Sequence, residues 1–196
     1  MTRLRFSTLV AAVIAFAQPG TSVYAQDFAV ELLAGRAKHD ASFGLFLPDV
    51  DEDDTSYGIR GTYQITRHWG LDLSYNDFGK AKGTSRDDAG ETTDFSLEGS
   101  AIELNVNGRL FLGDRLALVA RIGVSRYDSE RSIGATSDDD DGYTLGIGAG
   151  AQFQFTDRFF SGLDYSYRDL SGGSIDQIDF DNYDLTNLTL SLGYRF

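Results

Sequence analysis

Every second residue is large and apolar in the closing run Leu188, Leu190, Leu192, Tyr194 and Phe196, with Asn187, Thr189, Ser191, Gly193 and Arg195 between them. A period of two predicts a strand with chemically opposite faces. The same alternation recurs in seven earlier segments. The first runs from Phe28 to about Lys38, with Phe28, Val30, Leu32 and Ala34 on one face; the second carries Tyr57, Ile59, Tyr63 and Ile65, and the third Trp69, Leu71, Leu73 and Tyr75. Ile102, Leu104, Val106 and Leu110 mark a fourth, and Leu116, Leu118, Ala120, Ile122 and Val124 a fifth. Tyr143 to Phe155 and Phe159 to Tyr167 supply the sixth and seventh.

Short and long connections alternate between these segments. Thr66-Arg67-His68, Gly113-Asp114-Arg115 and Thr156-Asp157-Arg158 read as tight hairpin turns. Polar stretches rich in Asp, Gly and Ser, near residues 39–56, 79–94, 128–141 and 169–183, read as long loops. Phe95, Leu97 and Ala101 are out of phase with Ile102 onward, which predicts a bulge or pairing break near Gly99 to Ala101. The expected architecture is all-β: an eight-stranded antiparallel up-and-down barrel with both chain ends on the short-turn side.

Alternation alone does not distinguish a membrane barrel from a soluble one, whose apolar face points inward. The polar face decides. It is built from small or uncharged residues such as Gly58, Thr62, Ser74, Asn105, Asn107, Gly148, Gln152 and Ser191, and the expected strands after the first contain no lysine. A water-facing exterior carries lysine and glutamate, whereas small polar groups suit a narrow interior. Tyr63, Trp69, Phe111, Phe155, Phe159, Tyr194 and Phe196 gather at the short-turn ends, with Tyr57, Tyr75, Tyr143 and Tyr167 toward the long loops. Two aromatic girdles are what a bilayer interface selects.

Arg3 and Arg5 precede a mostly apolar stretch from Phe6 to Ala17, and Val23-Tyr24-Ala25 offers small or aliphatic residues where a signal peptidase inspects the chain. Residues 1–25 are therefore expected to be a cleaved secretory signal, leaving one domain over 26–196. A dozen apolar residues interrupted by Pro19-Gly20 is too short for a membrane helix. The chain has no cysteine and a formal charge of −13, which excludes disulfides and thiolate metal sites and argues against nucleic acid as a partner.

With the signal in place, the run Trp69-Gly70-Leu71-Asp72-Leu73-Ser74-Tyr75-Asn76-Asp77-Phe78-Gly79, the run Asn105-Val106-Asn107-Gly108-Arg109-Leu110 and the closing Gly193-Tyr194-Arg195-Phe196 resemble the OmpA-like and OmpX-like family of eight-stranded outer-membrane barrels. The resemblance implies a cell outer-membrane location, long loops outside the cell and short turns in the periplasm. It also implies that Gly193, Tyr194 and Phe196 form the signal read by the barrel-assembly machinery. The chain stops at the barrel, so nothing about a peptidoglycan-binding domain carries over.

The polar face also carries Glu31, Arg60, Asp72, Glu103, Arg109, Arg121, Asp164, Arg168 and Arg195, a nearly balanced set that predicts mutual pairing inside the lumen. Setting Gln64 opposite Gly70 puts Thr62 opposite Asp72 and Arg60 diagonally within reach of that carboxylate. The next short turn sets Arg109 opposite Val119 and Asn107 opposite Arg121, leaving Glu103 without an assigned partner, while Glu31 and Arg195 share the short-turn end. Such pairs predict a largely plugged lumen; the alternative is a gate that opens by exchanging partners.

Three acidic groups stand apart: Asp49 and Asp51 to Asp54, Asp138 to Asp141, and Asp176, Asp179, Asp181 and Asp184. If they share one rim they favour divalent cations or surface ligands, although solvated charge is the plainer explanation and the spacing is not an EF-hand. His39, beside Asp40 and Ser42, is the only histidine placed near the outer leaflet, and sequence adjacency is no evidence of a triad. The sequence thus predicts a monomer in outer-membrane lipid with a structural or surface-interaction role, no catalytic residue, no metal and no cofactor; the alternative is a small porin-like channel for ions or small solutes.

Overall fold

The computed structural model describes residues 28–42, 50–86, 92–133, 136–169, 174–175, 178–179 and 182–196. The expected signal over 1–25 lies outside them. Eight strands close an antiparallel barrel: β1 (Phe28–Ser42), β2 (Val50–Gln64), β3 (Trp69–Arg86), β4 (Thr92–Phe111), β5 (Leu116–Ile133), β6 (Thr136–Gln154), β7 (Phe159–Asp169) and β8 (Asn182–Arg195). Each pairs with its sequence neighbour, and β1 pairs with β8 to seal the ring. Ser174–Ile175 and Ile178–Asp179 form a separate two-stranded pair between β7 and β8.

Following the register once around fixes the barrel's shape. Ala29 faces Thr62, then Asp72, Asn105, Gly123, Gly146, Arg168 and Leu185 in turn, and Leu185 returns to β1 at His39, ten residues above the start. That stagger is the barrel's shear and tilts the strands steeply to its axis. Lipid-side positions are exposed, among them Leu32, Leu73, Leu104, Ile122, Leu145, Leu163 and Leu190, while the alternate positions are buried polar groups such as Glu31, Asp72, Asn107 and Thr189. In a bilayer the exposed set meets acyl chains.

The short turns are built locally. In two of them a threonine hydroxyl caps the bend: Thr66 Oγ1 accepts from the Trp69 amide at 3.0 Å, and Thr156 Oγ1 accepts from the Phe159 amide at 3.0 Å. The third uses Gly113 at φ 109°, a backbone region open to glycine.

The long polar stretches depart from the sequence expectation. Three of the four are mostly strand: β1 and β2 continue to Ser42 and Val50, β3 and β4 to Arg86 and Thr92, and β5 and β6 to Ile133 and Thr136. Consequently β3 does contain lysines, Lys80 and Lys82. The reason is physical: apolar alternation reports where a strand meets lipid, whereas the hydrogen-bonded ladder continues into water without it.

The predicted irregularity is present in the β3–β4 ladder, where Gly99 is left without a partner on β3. β4 pairs with β5 without interruption from Phe95 to Phe111, and the register shift lies in β3, between Asp77, opposite Ser100, and Lys80, opposite Glu98. Phe78 and Gly79 form the extra length, with Gly79 at φ 77°. Beyond this point β2 and β3 no longer pair, since their ladder ends at Tyr57 and Asp77. The β6–β7 ladder likewise ends at Gly146 and Arg168, so β3 to β6 continue outward as one sheet and β8, β1 and β2 as another.

Candidate functional site

The lumen gathers charge from strands that are not neighbours. Arg60 Nη1 lies 3.2 Å from Asp164 Oδ2 and 3.4 Å from Glu31 Oε2. Arg121 binds the other Asp164 oxygen through Nη1 and donates from Nε to Asp72 Oδ2 at 2.9 Å. The remaining Asp72 oxygen accepts from Thr62 Oγ1 and Asn107 Nδ2, both at 2.7 Å. Glu31, Arg60, Asp164, Arg121 and Asp72 thus form one continuous chain joining β1, β2, β7, β5 and β3. Gly150 makes room for it, because a Cβ there would lie 2.2 Å from Asp164 Oδ1.

The expected pairing of Arg60 with Asp72 is corrected by this arrangement. Thr62 does stand opposite Asp72, but Arg60 spends its contacts on Glu31 and Asp164, and Asp72 is taken by Arg121. In a narrow barrel a long side chain on the inner face points toward the axis, where groups from the far wall are as close as a diagonal neighbour on the next strand.

A second layer lies toward the outer face. Arg168 pairs with Glu103, which also accepts from Asn76 Nδ2 at 3.2 Å. The Arg168 guanidinium sits 5.1 Å over the Phe78 ring. Phe78 packs with Ala37, Ala101 and Leu185, against which Tyr127 rests, as a small apolar cluster inside the barrel. Between the two layers remains a cavity of about 30 Å³ lined by Arg60, Asn76, Glu103, Arg121, Asp164 and Arg168, among others. A polar space of that size holds a water or two.

The short-turn end is different. Arg195 stands opposite Ala29, and Glu31 stands opposite Gly193. The two charges do not pair; the Arg195 guanidinium lies 5.9 Å from the centre of the Phe160 ring instead. That ring fills the space above Gly193, where a Cβ would come within 2.2 Å of it. Arg109 is buried and, among the described residues, makes no ion pair; its Nε has no hydrogen-bond partner. Tyr194 and Phe196 meet edge to face at 5.0 Å on the rim, and the Phe196 amide donates to the Phe28 carbonyl at 2.9 Å.

Phe78 and Phe160 are lumen residues that reading for apolar faces overlooked. Parity identifies both: Phe78 shares the phase of Asp72, Ser74 and Asn76, and Phe160 that of Gly162 and Asp164.

Of the acidic groups, Asp49, Asp176 and Asp181 and the side chains of Asp51 to Asp53, Asp138 to Asp140 and Asp179 lie outside the described residues, as does the His39 side chain. The three described carboxylates are engaged separately. Asp54 accepts from the Lys80 amide, Asp141 lies 3.3 Å from Arg126, and Asp184 accepts from the Tyr167 hydroxyl at 2.7 Å. No cluster of three metal-ligating side chains occurs among the described residues. His68 is in a short turn, its Nδ1 3.0 Å from the Arg109 carbonyl.

The model of the outer membrane protein beta-barrel domain matches residues 7–196. Neisserial surface protein A aligns with a TM-score of 0.64 at 18% identity, covering 86% of this chain and 97% of that one. OprG from Pseudomonas aeruginosa aligns with a TM-score of 0.64 at 15% identity over 88% and 96%. Ail, the attachment invasion locus protein of Yersinia pestis, solved with the heparin analogue sucrose octasulfate, gives 0.53 at 16% identity over 86% and 99%. At these identities the likeness is one of fold. No curated protein matches the chain by sequence.

Proposed function

The chain belongs to the outer membrane protein beta-barrel domain family and resides in the cell outer membrane, and from that premise we propose a monomeric, non-enzymatic barrel with a structural or surface-interaction role and a lumen closed by paired charges. The observation that carries this reading is the five-membered chain from Glu31 to Asp72, which crosses the interior and leaves a cavity of about 30 Å³ beside it. A polar space of that size is suited to a water or two. Removing one member would strand a buried charge at a cost of several kcal/mol, so the network resists opening.

Interaction is then the work of the outward arms. Beyond Tyr57 and Asp77 the edges of β2 and β3 are unpaired with each other, and the β2 edge carries Asp51-Glu52-Asp53-Asp54. An unpaired edge is a template for an added strand, and an acidic one favours a cationic partner or divalent cations. The −13 charge of this chain argues against a polyanion of the kind bound in the Ail structure. At the other end, Gly193, Tyr194 and Phe196 serve as the signal for the barrel-assembly machinery.

A small porin-like channel is the second reading, supported by the position of Asp164 between two arginines, which lets partners exchange. Single-channel recording in planar bilayers tests both. Under our reading the parent is silent or conducts in brief, small steps, while Asp164→Ala, which leaves Arg60 and Arg121 one partner short, leaks. Large, steady conductance in the parent overturns the closed lumen and establishes the channel.

A further inference from the structure

The inner face carries five guanidiniums, Arg60, Arg109, Arg121, Arg168 and Arg195, against four carboxylates, Glu31, Asp72, Glu103 and Asp164. All four carboxylates are taken by Arg60, Arg121 and Arg168. The excess positive charge therefore collects at the short-turn end, on Arg109 and Arg195. Arg195 has a ring beneath it. Arg109 is only 8% exposed, and its Nε is unpartnered.

The stagger of the barrel sets what surrounds Arg109. Because the register climbs ten residues per circuit, a level perpendicular to the axis runs diagonally through the pairings, taking in Gln64 on β2, Arg109 on β4, Gln152 on β6, Phe160 on β7 and Arg195 on β8. Gln152 is 6% exposed and its amide Nε2 also lacks a partner. Two unpartnered donors, Arg109 Nε and Gln152 Nε2, are thus buried at one level of a lumen with one cation in excess, beside the neutral acceptor Gln64 Oε1, which also has no partner. A buried guanidinium with no direct ion pair is costly even when carboxylates lie one level away, and a buried donor without an acceptor adds to that cost.

We propose that the periplasmic end of the lumen is a binding site for one small monovalent inorganic anion of the chloride class, held by the Arg109 guanidinium and the Gln152 amide. One anion balances the one unmatched cation. A divalent anion is disfavoured, because Glu31 and Asp72 occupy the next level inward. The site faces away from the acidic arms, so the anion enters from the periplasm.

The test uses the folded chain in micelles and needs no conductance, so it is independent of whether the lumen is closed or a channel. The Arg109 Nε–Hε and Gln152 Nε2 NMR resonances are followed while sodium chloride replaces sodium gluconate at constant ionic strength, and the urea midpoint is measured in both salts. The expected result is a saturable shift of both resonances and a higher urea midpoint in chloride, since a ligand that binds only the folded state stabilises it. Arg109→Gln should lose the chloride dependence of its midpoint. Gln152→Leu, which keeps the charge, should weaken the Arg109 titration several-fold and covers the case in which Arg109→Gln does not fold. Resonances that do not move, or that move equally in gluconate, overturn the site; so does a chloride dependence unchanged in Arg109→Gln.

Discussion

The middle of the barrel and its outward arms share one antiparallel ladder, yet different contacts hold them. In the middle, Arg60 and Arg121 reach Asp164 on strands that are not their neighbours, and every strand has two partners. In the arms, the described charged pairs, Lys80 with Glu98 at 3.8 Å and Arg126 with Asp141, and the Tyr167–Asp184 bond link adjacent strands. Single bonds from the Lys80 amide to Asp54 and from the Thr144 hydroxyl to the Asp169 carbonyl bridge the two open seams, and just above Tyr57 the Ser56 hydroxyl reaches Asn187 past β1. There the ring divides into a three-stranded and a four-stranded sheet. Ring closure and a filled interior coincide along the barrel. Where buried side chains span the lumen all eight strands stay joined, and above Phe78, where the register shifts, the β2–β3 seam ends.

The strongest challenge to this contrast is Asp164→Ala. It removes the carboxylate shared by two buried guanidiniums and should lower stability in micelles by about 3–5 kcal/mol, read from urea unfolding. A loss under about 1 kcal/mol, the range of an exposed pair, would erase the distinction between middle and arms.

Deleting Phe196 probes the rim and separates assembly from stability. The ring contacts with Tyr194 and Phe28 are lost, along with one backbone hydrogen bond, a cost of about 1–2 kcal/mol. Refolding from urea into micelles should therefore change modestly, while folded yield in cells falls steeply if the assembly machinery reads this residue. Equal losses in both assays would remove the assembly role.

The smallest effect is expected in the arms. Arg126 and Asp141 are 53% and 62% exposed, so Arg126→Ala should change the unfolding free energy by no more than about 0.5 kcal/mol, a change that shrinks as salt is added. A larger change would mean that the arms, like the middle, are held by something other than their ladder.

Much of this was legible from residue types in order. Period-two alternation marked eight strands and assigned their faces, because in a strand the face follows from parity alone. The three short turns set local register, placing Thr62 opposite Asp72 and Asn107 opposite Arg121, since a tight turn leaves the chain little freedom. Parity even held the lumen places of Phe78 and Phe160, hidden from a reading that equated apolar with outward. What only the tertiary structure decided was which charges meet: Asp164 with Arg60 and Arg121, Glu103 with Arg168, and Arg109 with none among the described residues. It also decided that three of the polar stretches continue as strands and that the extra residue of the irregularity at Gly99 belongs to β3. The reason is common to both. Contacts across a narrow barrel depend on its stagger and closure, which accumulate over all eight pairings, and a hydrogen-bonded ladder in water leaves no apolar pattern to read.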